Sequence, residues 1–305
     1  MFSYKLVNYI LAIFLLLCSF TINNLTYAQT SAETIKTITV TVKEKKNRFV
    51  PELQANDFQV YQDGVLSPIV FVQPSNQAPL NLAIVIQEGL EQFNLEINSI
   101  KQFITNLPAG SKIMVVYAKD NFVTVAQEFT ADLTQAANKI RVTDSFSSFA
   151  VNPYWDLKAV LPYFNGLDQE RNEILFISDG FDPSNGKFST ATSNLYLDQV
   201  MREAQKNNVV IFSIFAPSAR VKNFFAQNTG INSLIYLSEQ TGGQAFYTNS
   251  GYVTFDVPLQ KFTQLLKQQY VISYISSGIG KKYYQVKVTT DFSNLTVLAT
   301  KEFHF

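Results

Sequence analysis

Acidic side chains gather where apolar runs end. The run 174–178 is followed by Asp179, with Asp182 three residues on, and the run 82–86 is followed by Gln87, Glu88, Gly89 and Glu91. Carboxylates in such places ligate a hard divalent ion, cap the next turn or helix, or work as a pair in glycoside cleavage. For Asp179 the position just after an apolar run favours capping. Asp156, Asp168, Asp179 and Asp182 are scattered, and no spacing marks a catalytic pair. The chain has one His and one Cys, which excludes a His/Cys zinc site and a disulfide framework. His304 is expected at the surface, beside Phe303 and Phe305 near the chain end. Ser178-Asp179-Gly180 lacks the Gly-x-Ser-x-Gly frame of a nucleophile elbow. Thr241-Gly242-Gly243 lacks the Lys of a phosphate loop. Trp155, after Pro153 and Tyr154, stands at a helix start, either buried or as a contact at a loop rim. The pairs Phe224-Phe225 and Tyr283-Tyr284 read as core and strand packing.

These residues must be placed by a fold, and composition bounds it. A chain of 305 residues allows two domains at roughly 150 residues each. Hydrophobic residues make up 47% and charged residues 16%, so a large core is available and disorder is excluded. Lys+Arg and Asp+Glu are equal at 24 each, and there is no basic tract, which argues against nucleic acid as a partner.

The first 28 residues read as a secretory signal: Lys5, an apolar run of 12 residues at 9–20 and a small-x-small site at Thr26-Tyr27-Ala28. The run is too short to span a bilayer as a helix, which argues against a retained anchor. Cys18 is preceded by Leu17 where a lipoprotein signal wants a small residue, so lipidation is not expected. The mature chain is then cysteine-free and periplasmic or secreted, without a membrane span.

Patterning divides the remainder. Residues 35–72 alternate in β-branched residues, with a turn at Lys45-Lys46-Asn47, a strand at 58–62, a hairpin turn at Asp63-Gly64 and a return strand at 68–72. A polar, proline-containing linker covers 73–80. Continuous apolar runs at 82–86 and 174–178, with strands at 113–117, 122–126, 209–215 and 244–247, alternate with helical stretches at 91–107, 132–140, 154–164, 195–207, 231–240 and 259–269. That alternation predicts a mostly parallel sheet with helices on both faces. Strands return at 270–275, 283–290 and 295–303. Neither β end can bury a core alone, so both are expected in one sandwich. The expected division is 1–28 signal, 35–72 first half of the sandwich, 79–257 α/β domain, and 258–305 a helix and the second half.

In this order, Leu53-x-x-x-Asp57-Phe58-x-Val60-Tyr61-x-Asp63-Gly64, the stretch 79–86, Ile174-Leu175-Phe176-Ile177-Ser178-Asp179-Gly180, the stretch 237–246 and the stretch 269–274 resemble the von Willebrand factor type A domain in its bacterial exported form, over about residues 38–303. The resemblance implies a doubly wound α/β fold and a metal-ion-dependent adhesion site. In that site Asp-x-Ser-x-Ser, a Thr and a later Asp hold Mg²⁺ until an acidic partner completes the shell. Here Gln87, Gly89 and Glu91 stand for Asp, Ser and Ser, Asn152 stands near the Thr, and only Asp179 is kept. A neutral amide and a glycine remove most of the attraction for a hard cation. The expectation is therefore a non-enzymatic module binding another protein, without cofactor, on a rim of Gln87, Glu88, Gly89, Glu91, Asn152, Trp155 and Asp179. The alternatives are a metal-dependent binder using Glu88, Glu91 and Asp179, and a hydrolase with an unrecognised acidic site.

Cleavage after Ala28 is checked by N-terminal sequencing of the exported protein. The expected first residue is Gln29, and a mature chain that still carries residues 1–20 refutes it.

Overall fold

A strand buried on both faces must be apolar throughout, and such runs organise the chain. The computed structural model describes residues 34–44, 52–91, 93–144, 152–167, 170–185, 190–247, 254–276 and 281–304. The expected signal at 1–28 with Cys18, the Lys45-Lys46-Asn47 turn, Asp168 and most of the loop before Asn152 lie outside the described residues. The strands and helices in chain order are β1 Thr34–Glu44, β2 Phe58–Gln62, β3 Val65–Ser67, β4 Ile69–Pro74, β5 Leu80–Gln87, α1 Ile97–Thr105, β6 Lys112–Lys119, β7 Phe122–Thr130, α2 Leu133–Asn138, α3 Pro153–Val160, β8 Arg171–Ser178, α4 Leu195–Lys206, β9 Val209–Phe215, α5 Phe224–Thr241, β10 Ala245–Phe246, α6 Asp256–Lys267, β11 Gln269–Ser276, β12 Tyr283–Thr290, β13 Leu295–Ala299 and β14 Glu302–His304. No helix among the described residues is long and apolar enough to cross a membrane.

The six-stranded sheet has the order β10-β9-β8-β5-β6-β7. Its neighbours pair parallel except β6 with β7, a hairpin whose turn residues Asp120 and Asn121 take φ of 52° and 65°. Every residue of β5, β8 and β9 is buried. The alternate side chains supply two cores. Leu82, Ile84 and Ile86 face α1, α2 and α6 through Ile100, Phe103, Ala136 and Phe262. Ala83 and Val85 face α3, α4 and α5 through Leu157, Leu197, Val200 and Leu234.

Both chain ends build the two antiparallel sheets, ordered β13-β1-β11-β4 and β14-β12-β2-β3. Their shared core holds Ile38, Val40, Phe58 and Val60 from the first end and Ile272, Tyr274, Tyr284 and Val286 from the second. The expected sandwich is present. Thr37, Thr39 and Thr41 are buried on the other face of β1, where Gln269 Nε2 donates to Thr41 Oγ1 at 3.2 Å. Burial on both faces explains why both registers of β1 are β-branched.

Several expected elements are displaced for local reasons. The return strand after Asp63-Gly64 is β3, because Pro68 ends it and the chain crosses to the other sheet as β4. The last expected strand, 295–303, is split: Thr300 Oγ1 donates to the carbonyls of Gln240 and Glu302, and this corner passes the chain from β13 to β14. The helix expected over 91–107 begins only at Ile97. Glu91 N–H is drawn to the Pro217 carbonyl at 2.7 Å, and the Asn94 side chain bonds both main-chain groups of Thr143. The helix expected over 231–240 begins seven residues earlier, so Phe224 and Phe225 are not core residues; they are 72% and 75% exposed. Tyr284 is buried as expected and Tyr283 is not. His304 is largely covered, with its ring stacked on Tyr283 at 5.5 Å.

Arg171, the first residue of β8, joins the α/β part to the sandwich. Its buried guanidinium donates to the carbonyls of Ser75, Ala78 and Leu266 and to Gln269 Oε1 at 2.8 Å. Glu173 follows on the same face of the strand, fully buried. Burial pushes its pKa from an ordinary 4.5 to about 7, with Arg171 and Gln269 opposing. Between these values the native state holds a proton that the unfolded chain has lost. The contribution of Glu173 to stability is therefore greatest below pH 4.5 and falls as pH rises through about 7. Comparing urea unfolding of wild type and Glu173→Gln across this range, we expect the variant to gain on wild type with rising pH. A constant difference refutes a titrating Glu173.

Candidate functional site

Ligand sites of open α/β sheets lie at the carboxyl ends of the strands, where loops converge. Here β5 and β8 are adjacent and parallel, so Gln87 and Ser178–Asp179 come together. Gln87 is fully buried. Its Oε1 accepts from Ser178 Oγ at 2.6 Å and from the Asp179 N–H at 3.2 Å, which fixes the turn after β8.

Asp179 is fully buried and meets a guanidinium. Arg220 Nε donates to Asp179 Oδ2 at 2.6 Å and Nη2 donates to Oδ1 at 2.8 Å, a bidentate pair. Ser218 Oγ also donates to Oδ2, and Oδ1 accepts the Phe181 N–H at 3.0 Å. The Arg220 side chain is 3% exposed. The arginine comes from the loop after β9, whose short 3₁₀ turn Ala219–Val221 is capped by Ser218. The neighbouring backbone allows this approach only because Gly180 and Gly230 lack side chains. A Cβ on Gly230 would lie 2.1 Å from the Asp179 carbonyl oxygen, and one on Gly180, at φ of 62°, would lie 2.5 Å from that of Gly230.

The other expected rim residues have separate partners. Glu88 is buried and accepts from Arg141 Nη2 at 2.6 Å, with Lys119 Nζ at 3.8 Å. Arg141 lies 4.0 Å over the Tyr117 ring. Gly89 adopts φ of 82° and donates its N–H to the Asp144 carbonyl. Glu91 points outward toward Lys222, at 3.4 Å. Asn152 caps α3, its Oδ1 accepting from the Tyr154 and Trp155 N–H groups, while its Nδ2 donates to Asp182 Oδ2 at 3.0 Å. Asn194 caps α4 and donates to the same oxygen at 3.0 Å. Trp155 is 49% exposed, with the Tyr196 ring edge-on at 5.9 Å. Asp156 lies beneath, fully buried. Burial pushes its pKa up to about 7, helped by Asp120 and opposed by Arg220.

Gln87 and Asp179 are thus in direct contact, and Asn152 is linked to Asp182 instead. Glu88 and Glu91 turn to basic side chains of other loops. Sequence reasoning singled out neither Arg220 nor Ser218. Arg220 stands in the sequence beside Lys222, with no local pattern that marks it as turned inward.

A parallel sheet with one antiparallel edge strand, covered by helices on both faces, carries a Ser-Asp-Gly turn beside the end of its central strand. These layers make up the doubly wound α/β fold that the resemblance implied. No family model and no curated protein matches the chain. Among solved structures, the chain is similar to a serine-substituted aerotolerance-related membrane protein of Bacteroides fragilis, at 9% identity and a TM-score of 0.45, covering 61% of this chain and 98% of that one. It is also similar to the pilus adhesin SpaC of Lactobacillus rhamnosus GG, at 9% identity and a TM-score of 0.45, covering 81% and 47%. A third is the ArnB paralog VWA2 of Sulfolobus acidocaldarius, at 13% identity and a TM-score of 0.41, covering 88% and 76%.

Removing one member of a buried ion pair leaves a charge without compensation, at a cost of about 3–5 kcal/mol. For the α/β part we expect Arg220→Met to destabilise by about that amount in urea unfolding, and the double variant Asp179→Leu/Arg220→Met to recover most of it. Equal losses in both would show that the pair is not the source.

Proposed function

We propose that this chain is an exported, non-enzymatic module that binds another protein through the loops at the carboxyl end of the type A-like sheet, without a divalent ion. The observation that carries the reading is the Asp179–Arg220 pair. The one acidic position kept from the adhesion-site pattern has both oxygens engaged by a guanidinium of the same chain, which supplies the positive charge an ion would bring. The rest of the ligand set fits a divalent ion no better. Gln87 is neutral and already bonded to Ser178, Gly89 has no side-chain oxygen, and Glu91 faces Lys222. Among the described residues no group of three or more His, Cys, Asp or Glu side chains is arranged to hold a metal. The proposal thus treats the site as degenerate, with Gln87, Glu88, Gly89, Glu91, Asn152, Trp155 and Asp179 as its rim and floor. It takes residues 1–28 as the signal, 79–257 as the binding domain, and 35–72 with 258–305 as its support. Binding through a preorganised surface needs no titrating catalytic group, and the single His, His304, belongs to the sandwich.

A metal that binds only the folded state adds about 2.7 kcal/mol at a hundredfold excess over Kd. In a chain of this size that raises the melting point by ~2–4 °C. Melting the mature protein in EDTA and in millimolar Mg²⁺, Mn²⁺ or Ca²⁺ should give one melting point. A rise of that size, lost in Asp179→Ala, would establish the metal-dependent binder in place of this reading.

A further inference from the structure

Asp156, Asp179 and Asp182 are all buried at the carboxyl end of the six-stranded sheet, together with the side chain of Arg220. Asp120, half-buried, stands in the turn between β6 and β7. One guanidinium cannot compensate three enclosed carboxylates. Asp179 takes it through both oxygens. Asp182 is satisfied by neutral donors instead. Its Oδ2 accepts from Asn152 Nδ2 and Asn194 Nδ2, and its Oδ1 from the Ser184 N–H and hydroxyl. Asp156 has neither kind of partner. Among the described residues no donor reaches either of its oxygens.

Asp156 lies in the first turn of α3, where N–H groups ordinarily favour a negative charge. Those groups are already used. Pro153 has none, the Tyr154 and Trp155 N–H groups go to Asn152 Oδ1, and the Asp156 N–H goes to the Asn152 carbonyl. The other ionic groups around the helix are engaged elsewhere. Lys119, at the end of β6, lies against Asp144 and Glu88. Lys158 on α3 donates to Gln199, and Asp198 on α4 pairs with Arg202. The Tyr154 hydroxyl donates to the Gly180 carbonyl. Burial, then Asp120, push Asp156 toward its protonated form, and Arg220 opposes them.

The helix start is tied to the turn that carries Asp120. The Asn152 N–H donates to Asn121 Oδ1 at 3.0 Å. An ionised Asp156 meets no donor in this arrangement and is repelled by Asp120, so parting the turn from α3 relieves it. We propose that Asp156 and Asp120 form a proton-operated latch between the β6–β7 turn and the start of α3, closed while Asp156 keeps its proton and released, with Asn152 and Trp155, when the proton leaves. The latch does not depend on what the loop end binds. The folded chain holds this proton up to about pH 7, against an ordinary 3.8 for the unfolded chain. The contribution of Asp156 to stability is therefore full below pH 3.8 and lost as pH rises through about 7, which makes the closed form the acidic one.

The chain's one tryptophan is Trp155, next to Asp156, and it reports on the helix start. The test follows its emission and its quenching by acrylamide on the full mature chain between about pH 5 and 9, below the range of an ordinary tyrosine hydroxyl. We expect one transition near pH 7, with emission moving to the red and quenching rising on the alkaline side. Asp156→Asn, neutral at every pH, should lose the transition and keep the acid-side spectrum throughout. Asp120→Asn should keep the transition and lower its midpoint, because the like charge is gone. Glu173→Gln, toward the other end of β8, and His304→Gln, in the sandwich, should leave it unchanged. A flat profile in the wild type would overturn the latch. So would a transition that survives Asp156→Asn, or one that disappears in Glu173→Gln or His304→Gln. An unmoved midpoint in Asp120→Asn would overturn it as well, and that variant decides alone if Asp156→Asn does not fold.

Discussion

A carboxylate and a guanidinium shut away from water set the geometry of the loop end. Buried charges persist only when paired and hydrogen-bonded. Asp179 therefore holds Arg220, Ser218 and the Phe181 N–H, and Gln87 holds the turn from the other side. That arrangement fixes the loop after β9 over the end of β8, brings α5 against Gly180, and so aligns the start of α5 with those of α3 and α4. The positive charge that Asp179 meets is covalently part of the chain.

The opposite end of β8 follows the same rule with different chemistry. Arg171 meets carbonyl oxygens of the linker and α6 instead of a bidentate carboxylate, and in doing so fixes the sandwich beneath the sheet. Glu173, next on that face, is left in surroundings that favour its protonated form. A buried guanidinium thus stands near each end of β8: Arg220, paired with Asp179, at one, and Arg171, bonded to neutral oxygens, at the other. The loop-end pair shapes a surface and the other binds two layers together.

What could be read from the sequence was what short-range pattern decides. The apolar runs of β5 and β8, the Asp63-Gly64 hairpin and the β-rich ends identified the layers, since burial on one or two faces leaves a direct mark on residue type. Pairing between distant loops leaves no such mark. Arg220 lies 41 residues from Asp179, and nothing around it distinguishes an inward arginine from a solvated one. The early start of α5 was missed because Phe224 and Phe225 suit a core as well as an exposed first turn, and only the Asn223 cap separates the two. The split of 295–303 into β13 and β14 depends on Thr300 meeting the end of α5, a contact that local propensity cannot encode.

The order of strands in the sandwich also governs the order of assembly. β1, the first described strand, is not an edge; it lies between β13 and β11, and Thr37 faces Ser273 across 236 residues. Loop closure over such a distance must precede any reward from the pairing. The α/β layers, whose contacts are nearer in sequence, can form while the chain is still emerging. β1 must wait for its partners β11 and β13, which begin only at Gln269. During that interval the β-branched run at 37–42 is exposed to whatever else is unfolded nearby, so the final stage of synthesis or translocation is when this chain most needs protection from aggregation.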